Sequence, residues 1–88
     1  MFGRKKEITI VIKLFGGLDA DLGIEDYAPE TGLNLRVADR MRLSKVIRKI
    51  GFGKTETISV FINGNPAGPR EKLSDGDVIL CMRPLAGG

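Results

Sequence analysis

Between Glu7 and Phe15 the chain reads Glu-Ile-Thr-Ile-Val-Ile-Lys-Leu-Phe, with an aliphatic residue at every second position. Ile8, Ile10, Ile12 and Leu14 alternate with Thr9, Val11, Lys13 and Phe15. In an extended strand this period places one set on each face. The all-aliphatic face has to be covered. A chain of 88 residues supports one modest core with which to cover it. The fold is therefore constrained to bring a second apolar surface onto this strand.

The next segments supply partners. Leu33 to Val37 alternates apolar and polar residues and predicts a second strand pairing back on the first. A helix is expected from Asp39 or the residues just after it. Leu43, Val46, Ile47 and Ile50 fall at i, i+3, i+4 and i+7, one apolar stripe, while Arg42, Lys45, Arg48 and Lys49 face water. Gly51 is placed to stop this helix. Thr57 to Asn63 predicts a third strand with Ile58, Val60 and Ile62 inward and Phe61 outward. Asn63-Gly64-Asn65-Pro66 reads as a turn whose residues tolerate positive φ. Ala67 to Leu73 is broken by Gly68 and Pro69, so an edge strand or an irregular link is expected. Ser74-Asp75-Gly76-Asp77 reads as another tight turn, and Val78 to Arg83 as the last strand.

This order of strand, strand, helix, strand, link, strand predicts an α+β fold. A hairpin, a crossing helix and two returning strands form a mixed sheet of four to five strands on one main helix, the β-grasp arrangement. Residues 1–88 are expected to form a single domain, with 84–88 a flexible C-terminal tail. Leu18 to Gly32 is read as a connecting loop with a helical turn. Its carboxylates, Asp19, Asp21, Glu25, Asp26 and Glu30, lack the ligand spacing and central glycine of a calcium loop.

The tail itself is unusual. Pro84 removes a backbone donor and ends the last strand, and Leu85-Ala86-Gly87-Gly88 follows without charge. Glycine carries the largest entropy cost on ordering, so two terminal glycines gain a folded domain nothing. They suit a chain end that threads a narrow channel, where absent Cβ atoms let the carboxylate reach a buried reaction centre.

Composition removes several function classes. Charged residues at 28% and hydrophobic residues at 42% describe a globular chain. No apolar run approaches the ~20 residues of a membrane span, the start does not resemble a signal peptide, and the single cysteine agrees with a reducing compartment. A cytoplasmic location is expected. With no histidine in the sequence, imidazole base catalysis and histidine-based metal sites are absent, and no metal site is expected. Gly53-Lys54-Thr55 resembles the end of a phosphate-binding loop, but Arg48 stands where the pattern needs glycine, and a helix precedes it instead of a strand. Cys81 shares the inward face with Ile79, which reads as a packed thiol. The net charge is +3 with a pI near 9.3. A basic helix face can meet phosphates or an acidic protein surface, but the aromatic residues are scattered and form no stacking platform, which disfavours nucleic acid. Nothing here reads as an enzyme active site.

The β-grasp order, the Asp75-Gly76-Asp77 turn into the last strand, and the Pro84-Leu85-Ala86-Gly87-Gly88 ending together resemble the ubiquitin-like sulfur carriers. These include the small subunit of molybdopterin synthase and the sulfur carrier of the thiamin pathway. The resemblance spans nearly the whole chain. It implies that the Gly88 carboxylate is adenylated by a partner of the ubiquitin-activating type and converted to a thiocarboxylate that donates sulfur in cofactor or tRNA biosynthesis. ATP and Mg²⁺ would then be used by that partner, with no cofactor bound by this chain, and a sulfur-accepting synthase subunit would be a second partner. Gly87 and Gly88 would give access, with Ala86, Leu85 and Pro84 guiding the tail. The family docks partners through an apolar patch on the sheet face away from the helix; alternation puts Val11, Phe15, Phe61, Leu80 and Met82 there. Two other readings share the fold: a ubiquitin-like modifier joined to lysines through Gly88, and a non-catalytic β-grasp interaction module. The basic charge departs from the family pattern and leaves the activating partner's identity open.

Overall fold

The structure is a computed structural model that describes residues 6–53 and 58–83. In chain order its elements are strand β1 (Glu7–Leu14), helix α1 (Leu18–Asp21), strand β2 (Leu33–Ala38), helix α2 (Leu43–Ile50), and strands β3 (Ser59–Ile62), β4 (Asn65–Pro66) and β5 (Val78–Met82). The five strands form one mixed sheet in the order β2-β1-β5-β3-β4. β1 runs antiparallel to β2 and parallel to β5, and β3 runs antiparallel to both β5 and β4. The α+β, β-grasp expectation is met, with the strand count at its upper value.

The alternation in β1 does what its period requires. Ile8, Ile10, Ile12 and Leu14 are all buried, and across the hairpin Ile8 faces Val37 and Ile10 faces Leu35. Leu43, Val46 and Ile47 of α2 are fully buried in the same core, while Ile50 is half-buried against it. Ile79 and Cys81 of β5, with Ile58 and Val60, complete the inner surface. Gly51 ends α2 at φ +124 and donates its N–H to the Arg48 carbonyl at 3.1 Å. A Cβ there would meet Leu22 at 2.9 Å, so the helix end and the α1 segment approach closely.

Several boundaries differ from the sequence expectation; β3 and β5 each end one residue early, at Ile62 and Met82, and β2 one residue late, at Ala38. The helix does not begin near Asp39: Asp39-Arg40 is a turn and α2 starts at Leu43. Arg40 is held at φ +65 with its N–H on the Leu73 carbonyl at 3.0 Å, and that hydrogen bond diverts the chain before helical geometry can start. The turn expected over Asn63 to Pro66 is confined to Asn63-Gly64, both at positive φ, because Asn65 and Pro66 already pair with Ile62 and Phe61. Such a two-residue turn matches the twist of the flanking strands. β1 ends at Leu14, although the Phe15 N–H still reaches the Cys81 carbonyl at 2.9 Å. Residues 67–73 form the irregular link, joined to the start of α2 by an isolated bridge between Arg42 and Lys72. Leu73 in this link is fully buried. The expected start of the third strand at Thr57 lies outside the described residues, as do Lys54 and Thr55.

Candidate functional site

The outward sheet face is assembled by register. Val11 lies opposite Val78, Leu80 lies opposite both Lys13 and Phe61, and Met82 lies opposite Ser59. Phe61 is paired in turn with Pro66 at the sheet edge. Val11, Phe61, Leu80 and Met82 are partly accessible, and Phe15 is the most open large apolar residue described, at 40%. Register therefore brings Val11, Phe61, Leu80 and Met82 onto one face, while Phe15 follows β1 beyond its last registered pair. Sequence reading missed that Val78 and Pro66 stand among them. Lys13, which alternation places on this face, stands opposite Leu80 and brings an aliphatic stem to it.

The position of β5 is fixed by the turn before it. Thr9 donates its N–H to Asp75 Oδ1 at 2.8 Å, and Gly76 returns its N–H to the Thr9 carbonyl at 2.9 Å. The Asp77 carboxylate accepts from the Ser74 N–H at 2.8 Å through Oδ2 and from the Asn63 side-chain amide at 2.9 Å through Oδ1. Asn63 Oδ1 then accepts from the Val78 N–H at 2.9 Å. The two aspartates of the Asp-Gly-Asp turn thus lock the strand to β1 and to the β3–β4 hairpin. Their work is structural.

β5 leaves the sheet from its centre, and Arg83 is anchored where it does so. The Arg83 Nε–H donates to the Gly16 carbonyl at 2.7 Å, and its guanidinium pairs with Asp21 of α1. Gly16 and Gly17, both at positive φ, turn the chain so that this carbonyl faces β5. Pro84, Leu85, Ala86, Gly87 and Gly88 follow at once and lie outside the described residues.

Burial bears on the expectation for Cys81. Cys81 has no exposed surface, and burial pushes its thiol pKa up to about 12. A nucleophilic cysteine needs the opposite shift, so the burial of Cys81 agrees with a packed thiol. Among the described residues no cluster of carboxylates and cysteine could hold a metal ion, and no helix is long and apolar enough to cross a membrane.

A mixed β-grasp sheet with a central C-terminal strand is the ubiquitin-like fold, and comparison with solved structures agrees. A Pyrococcus furiosus protein described as molybdopterin converting factor subunit 1 superposes with a TM-score of 0.67 at 20% identity, covering 89% of this chain and 99% of that one. The Haloferax volcanii HVO 2177 protein gives 0.73 at 19% identity, covering 100% and 93%. Small archaeal modifier protein 1 of Methanosarcina acetivorans gives 0.61 at 20% identity, covering 94% and 99%. At these identities the likeness establishes the fold. No family model and no curated protein sequence matches the chain.

Proposed function

We propose that this protein is a ubiquitin-like carrier that presents its C-terminal carboxylate, at Gly88, to an adenylating partner and takes up sulfur there as a thiocarboxylate. One observation carries the reading: the strand that leads to the tail is central in the sheet and contributes Leu80 and Met82 to the outward apolar face. A partner that covers this face has the chain end within reach. The names of the structural neighbours, a molybdopterin converting factor subunit and small archaeal modifiers, support the same class.

The chemistry asks little of this chain beyond delivery. A carboxylate resists substitution because its leaving group would be an oxide. Its attack on the α-phosphorus of ATP releases pyrophosphate and forms an acyl adenylate. A sulfide nucleophile then adds to the acyl carbon and expels AMP, leaving sulfur in place of one carboxylate oxygen. ATP and Mg²⁺ belong to the partner, consistent with the failed phosphate-loop pattern at Gly53-Lys54-Thr55. If a lysine amine attacked the adenylate instead, the product would be an isopeptide and the protein a modifier. Intact-mass measurement of the protein from its native cells tests the reading. A species with one oxygen replaced by sulfur is expected; conjugates on other proteins without that species would overturn it in favour of the modifier.

A further inference from the structure

At the end of the sheet opposite the tail exit, a cavity of about 650 Å³ opens between the residue before β1, the β2–α2 turn and one face of α2. Among the described residues Lys6, Arg40, Arg42, Lys45 and Arg48 line it, against the single carboxylate of Asp39. The eight residues of β1 separate it from the tail exit, roughly 26 Å at ~3.3 Å per residue.

The cations reach one cavity from Lys6 and from the continuous stretch 40–48, and backbone hydrogen bonds hold these in place. Asp39 donates its N–H to the Lys6 carbonyl at 2.8 Å, and Arg40 donates to Leu73 at 3.0 Å. The first amides of α2 are already used, Leu43 N–H on the Glu71 carbonyl at 2.7 Å and Ser44 N–H on Pro69 at 3.0 Å. Any anion held here is therefore held by side chains. Among the described residues the ion pairs are Arg36–Glu7 and Arg83–Asp21, and neither lies in the groove. Arg40 adds an independent sign. It occupies φ +65, a conformation that glycine or asparagine adopts more cheaply. Strained backbone of this kind concentrates at ligand sites, and here it holds a guanidinium at the cavity.

We propose that this groove is a binding site for a compact polyphosphate group, the di- or triphosphate chain of a free polyphosphate or of a nucleotide. Arginine forks match phosphate oxygens in pairs, and the cavity volume lies in the range of small-ligand sites. An extended acidic peptide presents alternate side chains every ~7 Å, too widely spaced to satisfy cations gathered around one cavity. Among the described residues no aromatic lines the groove, so they offer a single-stranded nucleic acid no stacking platform. The inference does not rest on the chemistry of the tail.

Titration calorimetry at low salt, with amide chemical shifts followed in parallel, tests the site using tripolyphosphate, ATP and adenosine as probes. Saturable binding of tripolyphosphate and ATP but not adenosine is expected, with shifts at residues 39–48. Equal affinities assign recognition to the phosphate chain, and a tighter ATP adds contacts to the nucleoside; either supports the site. Arg40→Gly and Arg48→Gln should each weaken binding about tenfold without lowering the melting temperature. Arg36→Gln, on the other sheet face, should change nothing. The proposal is overturned if tripolyphosphate does not saturate, if Arg36→Gln weakens binding as much as the groove variants, or if an oligouridylate or oligoglutamate of matched charge binds more tightly.

Discussion

At the scale of single residues, Gly32 is the position with least freedom. It sits at φ +69 where β2 begins, and a Cβ there would stand 2.7 Å from the Ile12 carbonyl oxygen and 3.0 Å from Lys13 Cγ. The oxygen belongs to the central backbone of β1 and cannot move aside cheaply. Gly32→Ala should therefore destabilise the protein by about 2–4 kcal/mol, from left-handed strain plus the clash, as measured by urea unfolding. Cys81 gives a pH-dependent prediction. Burial raises its thiol pKa from the ordinary 9.0, expected in the unfolded chain, to about 12 in the fold. Above pH 9 the unfolded chain releases a proton that the folded chain retains, so stability is complete below pH 9 and falls as pH rises through 12. The loss approaches about 4 kcal/mol at the upper end. Subtracting the profile of Cys81→Ala isolates it from other titrating groups; identical slopes in the two proteins would contradict the buried thiol.

At the scale of elements, the regular patterns were legible and the irregular ones were not. The inward residues of β1, the apolar stripe of α2 and the inward face of β5 follow from period and spacing alone, because repetition along one element is enough to specify a face. Residues 18–32 resisted reading since no period runs through them. Yet Leu18 is buried, and Leu22, Ile24 and Tyr27 pack on the core. The Tyr27 hydroxyl accepts the Leu14 N–H at 2.6 Å, past the point where β2 pairing stops. Leu73 was hidden in the same way, a single buried residue between Gly68, Pro69 and a turn. The outward-face residues were found by alternation, whereas the basic groove joins Lys6 to residues 38–48, a proximity no local pattern encodes. The anchor between α1 and the end of β5 was equally invisible, because Arg83 and Asp21 are 62 residues apart. Their pair is about half exposed, with side-chain accessibilities of 52% and 48%, so Arg83→Ala should cost no more than about 1 kcal/mol. If the anchor aims the tail, the same variant lowers the kcat of adenylation while KM for the carrier changes little. Equal kinetics in the two proteins would reduce Arg83 to a surface contact.

At the scale of the whole molecule, the proposed function makes docking and delivery separable, because it assigns one to the sheet face and the other to the chain end. Phe61→Asp and Met82→Asp place a charge on partly accessible positions of the outward face, away from the core that holds the fold. Each should leave the melting temperature within a few degrees of the parent and weaken partner binding by at least about tenfold, since the charge becomes buried and unpaired in the complex. Unfolding of either variant would mean that the face assignment is wrong. Delivery is tested by lengthening the chain. One alanine added after Gly88 displaces the carboxylate by up to ~3.5 Å, and a misplacement of ~1 Å already costs about 100-fold in rate. ATP–pyrophosphate exchange with the activating partner should be abolished, while partner affinity and unfolding free energy stay at parental values. Gly88→Val probes the same channel by adding a β-branched side chain where glycine stood, and it should lose exchange with binding intact. The pairing of the two assays matters, because a variant that lost both would have failed at the sheet face and not at the tail. Full exchange in the extended protein would show that Gly88 is not the reacting end, and the carrier reading would fall with it.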